Sequence, residues 1–418
     1  MIYEGFELDS LYEYNTSLLI ERIKSNNLSI HLYGCGIQAR TAIAIFLKLN
    51  LETNIRVYDS NIAKIGSDFC GFTVESTTYF AEAPNSIVIL TCCFPEQVLR
   101  ALEARHSIYS LLPLYDAYKH MLSLEDLNSD GLNYSRSLAD MAREMQLYQN
   151  ELLSVRSKLA SDSLNLKSID AVVTEGCSLK CIDCSNLMQY YQKPKSADID
   201  TLIDASRRVL EAVDYVYEWR ILGGEPLIFK NLPKYLNFLS SFSNIKSILI
   251  FTNGTILPNE SCLEAIKTSG SVLDISNYNT HSRRINELIH LCEENDILYS
   301  VKDPIWSDSG RIHKHKGESL DQLQEKFFNC CTKDVLTLLH GKLYHCPFSA
   351  NLINLDSTYF NAGDVLSVDA SSSNLRSEIS SFYTSKTYLN ACNYCNGRDY
   401  TVPLIPTAVQ TRKPLPLP

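Results

Sequence analysis

Apolar and polar positions along this chain alternate in blocks that read as strand, turn and helix. In the first third, Ser29 to Tyr33 and Ile55 to Asp59 are short apolar runs with a helical stretch to about Leu49 between them. A further strand, Ser86 to Thr91, precedes a helix opened by Pro95, and the alternation continues to about Leu114. This predicts a small α/β domain over residues 1–130. Next, Leu138, Met141, Met145, Tyr148, Leu152, Val155 and Leu159 step by three and four, the stripe of an amphipathic helix. A stripe of three heptads is too short to demand a coiled coil. Residues 131–165 are therefore expected as a connecting helix packed on its own protein, with dimerisation as the alternative.

From Leu166 the alternation resumes. Candidate strands are Ser168 to Thr174, Tyr215 to Leu222, Ser247 to Thr252, Val272 to Ser276 and Ile297 to Val301, with helices from Ile199, Leu232, Ser261 and Arg284 between them. The strands are short and rich in Ile, Val and Leu, as strands buried on both faces of a parallel sheet are. Residues 166–320 thus read as a partial (β/α)6 barrel, and residues 321–418 as a small further domain with its tail. Right-handed crossovers place the strand C-terminal ends on one side, where sites of α/β proteins gather.

Composition narrows the classes. A chain of 418 residues suggests two or three domains, and 45% apolar with 21% charged residues is globular composition. Met1 to Ser10 carries Glu4, Glu7 and Asp9 without the apolar stretch of a signal peptide, and no run reaches bilayer length. A cytoplasmic location is expected, with no membrane span. The net charge of −10 offers no basic face for nucleic acid. Fourteen cysteines in such a chain point to metal or redox chemistry more than to disulfides.

Three of them, Cys177, Cys181 and Cys184, lie in the run Glu-Gly-Cys-Ser-Leu-Lys-Cys-Ile-Asp-Cys at the end of the first barrel strand. Thiolate loops select zinc or iron–sulfur clusters, but three thiolates leave one corner of a four-iron cube open. With Gly223-Gly224-Glu225-Pro226 at the end of the second strand, this segment resembles the radical S-adenosylmethionine (radical SAM) superfamily. The resemblance implies a 4Fe-4S cluster on the three cysteines, its open iron chelated by SAM. It also implies that Gly223, Gly224, Glu225 and Pro226 meet the amino group of SAM, and that Asn253 and Ser276 line its ribose and carboxylate. Asp183 departs from the family's usual aromatic residue before the third cysteine.

Further on, Cys331, Gly341, Cys346 and the pair Cys392 and Cys395 follow the order C-x9-G-x4-C then C-x2-C. This order resembles the twitch extension of some radical SAM enzymes, the shorter relative of the SPASM extension. The resemblance implies an auxiliary 4Fe-4S cluster on Cys331, Cys346, Cys392 and Cys395; structural zinc is the alternative. Adjacent Cys330 and Cys331 point in different directions, and the glycine spacing favours Cys331. Asp303, Trp306, Asp308 and Arg311 follow the fifth strand and are expected as substrate contacts or, more simply, as salt bridges and loop positions.

In the N-terminal domain, Gly34-Cys35-Gly36-Ile37-Gln38-Ala39 with Asp59 about twenty positions on has the Rossmann dinucleotide pattern. The run from Asp59 to Gly66, followed by Gly71-Phe-Thr-Val, resembles Rossmann-like modules fused to polysaccharide-biosynthesis enzymes. Occupancy by a nucleotide stays open, because the fold alone is common.

The expectation is therefore a radical SAM oxidoreductase. It would abstract hydrogen from a carbohydrate-like or small polar metabolite, such as a nucleotide-sugar, in sugar, polysaccharide or natural-product biosynthesis. Dehydrogenation or epimerisation would follow, with electrons from a flavodoxin or ferredoxin. Two alternatives stand: a radical SAM enzyme modifying a peptide or protein, and a non-catalytic nucleotide-binding protein with structural zinc.

Overall fold

The computed structural model describes residues 14–51, 55–59, 61, 64–77, 86–92, 107–127, most of 141–152, 163–368, 374–398 and 402–418. The chain divides into two compact units, Met1–Ser161 and Asp162–Pro418. The helix expected from Pro95 and the stripe positions Leu138, Val155 and Leu159 fall outside the described residues.

The first unit is built on a sheet of β1 (Ser29–Tyr33), β2 (Ile55–Asp59), β3 (Asp68–Phe69), β4 (Phe72–Ser76), β5 (Ser86–Leu90) and β6 (Ser107–Ser110). Their order is β3-β4-β2-β1-β5-β6, with every neighbour parallel except β3 against β4. Leaving β3 aside, this is the doubly wound 3-2-1-4-5 order, in which the direction of winding reverses between β1 and β5. The helix Ile37–Lys48 starts at that reversal, with Gly36 at its N-cap. Met141, Met145, Tyr148 and Leu152 of the stripe are buried in this unit's core. The Tyr148 hydroxyl donates to Leu90 O at 2.6 Å and accepts from Leu111 N at 3.3 Å. Those stripe positions pack on their own protein.

The second unit holds the expected barrel strands in sequence order: β7 (Asn165–Thr174), β8 (Tyr215–Gly223), β9 (Ile245–Thr252), β10 (Val272–Ser276) and β11 (Tyr299–Lys302). Consecutive strands pair in parallel. The helices Ile199–Ala212, Leu232–Leu239, Glu260–Thr268 and Ile285–Glu294 separate them, within one residue of the expected starts. Asp198 and Asn259 cap two of these helices through Thr201 N and Cys262 N, as short acceptor side chains do. A short strand β12 (Trp306–Ser307) follows.

A finding beyond the sequence reading is the place of residues 321–368. Strand β13 (Val335–Leu339) pairs in parallel with β7 on the edge away from β8. It turns through His340 and Gly341, both at positive φ, into antiparallel β14 (Lys342–Tyr344), and β15 (Val365–Ser367) follows beside β14. The 321–368 stretch therefore extends the barrel's own sheet, and all five residues of β13 are buried. A small strand β16 (Leu404–Ile405) pairs with β12.

The ends of β7 and β8 approach so closely that only glycine fits. A Cβ on Gly224 would stand 1.9 Å from Gly176 O, and one on Gly223, at φ +138°, 2.2 Å from Thr174 O. Gly224→Ala should therefore destabilise the second unit by about 3 kcal/mol or more, since the clash is with backbone. Urea titration of the variant against the wild type measures this; an unchanged midpoint would contradict the close approach.

Candidate active site

The cysteine loop springs from the end of β7 and is tied to the next three strand ends. Gly224 N donates to Thr174 O at 2.8 Å and Glu225 N to Gly176 O at 2.9 Å, so the second strand's exit lies on the root of the loop. Asn253, just past β9, places its Nδ2 3.6 Å from Cys177 Sγ and 3.1 Å from Ser178 Oγ. Ser282 Oγ donates to Asn253 O at 2.7 Å and to Ser276 O at 3.1 Å, which brings in the end of β10. Of the expected SAM-side residues, Gly223, Gly224, Glu225 and Asn253 thus meet the cysteine loop directly or through one bond. Ser276 joins through its carbonyl. Pro226 is buried and opens the turn Pro226–Ile228.

The Glu225 carboxylate, in the segment expected to meet the amino group of SAM, is engaged within the protein. It is fully buried and accepts from Leu227 N at 3.1 Å, Thr252 Oγ1 at 2.9 Å and Asn253 N at 2.9 Å. Three donors fix it as a peg between β8 and β9. Burial raises its pKa to about 7 despite these hydrogen bonds.

Burial likewise raises all three thiols: Cys181 to about 12, Cys177 and Cys184 in the same direction. Neutral thiols are therefore favoured, and thiolates form only beside a compensating cation such as iron. The loop offers hydrogen bonds to such sulfurs, Leu179 N to Cys177 Sγ at 3.4 Å and Gln410 Nε2 to Cys181 Sγ at 3.1 Å. These donors fit a thiolate-held cluster.

Around the loop, Asp183 forms an ion pair with Arg311. Gly310 lies so close that its Cβ would stand 1.9 Å from Asp183 O. Trp306 sets its ring edge-to-face with Tyr278 at 5.7 Å, and Asp303 accepts from Asn277 Nδ2 at 2.6 Å. Asp308 donates its backbone N–H to Pro403 O at 2.8 Å. The loop residues after β11 thus act chiefly as structural partners. Sequence reasoning missed Tyr278, a half-buried phenol in the electrostatic field of Cys184 and Cys181.

A second set of cysteines gathers at one cavity. Cys330, Cys346, Cys392 and Cys395 line it together with Lys326, Thr332 and Arg398. Cys331, the expected member, does not line this cavity and is exposed, whereas its neighbour Cys330 does line it. Cys330 is the C-cap of the helix Leu320–Asn329, in extended backbone. Hydrogen bonds from Cys331 and Thr332, aided by the Arg398 charge, hold the Cys330 thiol below its ordinary range. Cys346 caps the helix Pro347–Leu355, and its sulfur accepts from Ser349 N at 3.3 Å. Cys395 Sγ accepts from Gly397 N at 3.3 Å. Lys326 Nζ donates to the carbonyls of Cys392 and Cys395, both at 3.0 Å. Arg398 Nη2 donates to Ser185 O at 2.7 Å, one residue past Cys184.

Elsewhere, the Gly34 turn of the first unit is closed by its own acid. Asp59 Oδ2 accepts from Cys35 N at 3.0 Å, from the Cys35 thiol at 2.8 Å and from Lys64 Nζ at 3.2 Å. Asn61 N donates to Asp59 Oδ1 at 2.8 Å. Cys262 and Cys292 are buried in the barrel core, as small apolar residues are, and Cys93 lies outside the described residues. Among the described residues no helix is long and apolar enough to cross a membrane.

Comparison with known proteins places this geometry. Residues 171–286 match the Radical SAM superfamily. A GTP 3',8-cyclase of Syntrophomonas wolfei is 27% identical over 149 residues, 34% of this chain and 42% of that protein. A probable GTP 3',8-cyclase of Methanococcus vannielii is 31% identical over 106 residues, 25% of this chain and 34% of that protein. The chain thus spans less than half the length of these relatives. Among solved structures, BtrN in complex with AdoMet and 2-DOIA aligns over 60% of this chain and 97% of its own, with 16% identity and a TM-score of 0.36. Native anSMEcpe with bound AdoMet aligns over 43% and 74%, with 14% identity and a TM-score of 0.32.

The buried Glu225 predicts a pH signature. Its folded pKa of about 7 exceeds the ordinary 4.5, so the folded state holds the proton more tightly. The resulting stability is full below about pH 4.5 and is lost as pH rises through about 7. Across that window, the unfolding free energy of the wild type minus that of Glu225→Gln should fall by about 3 kcal/mol. Urea titrations of both at several pH values test it; a constant difference would refute it.

Proposed function

We propose that this chain, whose residues 171–286 form a radical SAM domain, is an oxidising radical SAM enzyme with a second, auxiliary iron–sulfur cluster. The observation that carries the reading is the gathering of Cys330, Cys346, Cys392 and Cys395 at one cavity in the same unit as the three-cysteine loop. Cys177, Cys181 and Cys184 would hold the SAM-chelating 4Fe-4S cluster, and the other four the auxiliary cluster. When bound, the first cluster supplies one electron to the sulfonium of SAM, which yields methionine and a 5′-deoxyadenosyl radical able to take a substrate hydrogen.

The chain's own residues orient and shelter that chemistry. Asn253 braces Cys177 and Ser178, Glu225 pegs two strand ends together, and Tyr278 with Trp306 forms an aromatic wall near the loop. Arg398 and Lys326 put positive charge beside the second cavity, which suits four thiolates.

The substrate reading is a carbohydrate-like or small polar metabolite, dehydrogenated by loss of a hydrogen atom, then a proton and an electron; Cys330, Cys346, Cys392 and Cys395 would hold a cluster able to take that electron. A flavodoxin or ferredoxin would supply the first electron. The named activity of the GTP 3',8-cyclases makes nucleotides and nucleotide-sugars the first class to screen. A peptide substrate ranks second, because the first unit is a doubly wound parallel sheet.

Anaerobic reconstitution with iron and sulfide tests the assignment. Wild-type protein should hold about eight irons and cleave SAM once reduced. Cys177→Ala, Cys181→Ala or Cys184→Ala should leave about four and abolish cleavage, while Cys330→Ala should leave about four and keep the SAM-binding cluster. Cys331→Ala should keep about eight. Zinc without visible absorbance in the wild type would overturn the reading. Product analysis with each nucleotide-sugar then separates dehydrogenation, which makes no new C–H bond, from epimerisation, which takes deuterium from deuterated water.

A further inference from the structure

The segment 402–418 lies across the cysteine loop as a strap. Cys181 and Gln410 form an antiparallel bridge. Ile182 N donates to Val409 O at 2.8 Å and Thr411 N to Lys180 O at 2.7 Å. Further along, Leu415 N donates to Gln189 O at 2.8 Å. Ala408 enters the crossing at φ +55° and is buried. The strap therefore touches the loop at its middle cysteine and at its far end.

The Gln410 amide is held at both ends, and the partners define which end is which. Its Oε1 takes the Lys180 N–H at 2.6 Å, a group that can only donate. Its Nε2 donates to Ala408 O at 2.7 Å, a group that can only accept. The same nitrogen stands 3.1 Å from Cys181 Sγ, so an N–H points at a sulfur that would ligate iron.

We infer that Gln410 is a positioning residue that sets the reduction potential of the cluster on Cys177, Cys181 and Cys184 by donating this hydrogen bond to Cys181. The inference rests on the cluster assignment given under the proposed function. An N–H directed at a ligating thiolate draws charge from the sulfur. It stabilises the reduced cluster, which carries one more negative charge, and so raises the potential. The strap also couples that tuning to the loop's shape, because the residue that donates to the sulfur belongs to the segment that clasps Lys180 and Ile182. Electron delivery to SAM and the seating of the loop then depend on one contact.

The experiment is an EPR-monitored redox titration of the full-length reconstituted protein as wild type, Gln410→Leu and Gln410→Glu, with iron and sulfide assayed in each. The SAM-binding cluster is identified as the signal lost in a triple Cys177→Ala, Cys181→Ala, Cys184→Ala variant. Gln410→Leu should lower the ratio of reduced to oxidised cluster about tenfold at the potential that half-reduces the wild type, a shift of about 59 mV for one electron. Gln410→Glu keeps an acceptor for Lys180 N–H, and hence the clasp, and should shift at least as far in the same direction. The signal of the second cluster should not move. A wild-type midpoint in Gln410→Leu with its iron retained overturns the inference. Should that variant lose its iron, a wild-type midpoint in Gln410→Glu overturns it instead. Survival of the wild-type signal in the triple variant would sink the cluster assignment itself, and that outcome is separate from an unmoved midpoint.

Discussion

The second unit depends on one close approach, the laying of the Gly223-Gly224 strand exit onto the root of the cysteine loop. Two backbone hydrogen bonds, Gly224 N to Thr174 O and Glu225 N to Gly176 O, make the contact, and the missing Cβ atoms permit it. Every later contact of the site inherits its position from there. Glu225 turns its carboxylate to Thr252 and Asn253, Asn253 reaches Cys177 and Ser178, and Ser282 carries the connection to Ser276. Four successive strand ends are laced together before any cofactor is considered. A loop that must present sulfurs to iron needs that rigidity, because a small displacement of a ligand costs as much as its loss.

The strands and helices of the second unit were legible because parallel strands buried on both faces are continuous apolar runs, and the helices between them carry their own start signals. Asp198 and Asn259 sit where a reader of caps would put them. The roles of particular polar residues were not legible in the same way. Glu225 reads as a free acceptor until the register of β9 brings the Asn253 amide to it from 28 positions away. Which of Cys330 and Cys331 lines the second cavity depends on the direction of the chain as it leaves the helix Leu320–Asn329, which spacing to Gly341 does not encode. Strand β13 was invisible as a neighbour of β7, since nothing local in Val335–Leu339 says which edge it will join. Gln410 and Arg398 meet the cysteine loop across 229 and 213 positions, and no motif marks either of them.

The first unit shows the converse case, a motif whose context is right and whose chemistry is already used. Its strand order and glycine turn are those of doubly wound sheets that bind dinucleotides. Yet Asp59, the acid such a site turns towards a ribose, accepts from Cys35 twice and from Lys64 and Asn61. Desolvation works against its charge, and these hydrogen bonds prevail, leaving Asp59 below the usual carboxylate range. A ligand at this turn would have to displace Lys64 or share a carboxylate with four donors. The ionic closure accounts for the turn as a structural element.

Arg398 gives the two cysteine groups of the second unit a common dependence. Its guanidinium lines the second cavity and donates to Ser185 O, beside Cys184, while its backbone carbonyl accepts from Cys331 N at 3.2 Å. Two hydrogen bonds through one residue thus connect the neighbour of a first-set cysteine to the neighbour of a second-set cysteine. Placing a guanidinium in such surroundings costs desolvation energy unless negative charge is near. Asp170 feels the Arg398 charge, and the fields of Cys331, Cys395, Cys330 and Cys346 all favour the protonated guanidinium. The cation and the sulfurs therefore favour one another's charged states.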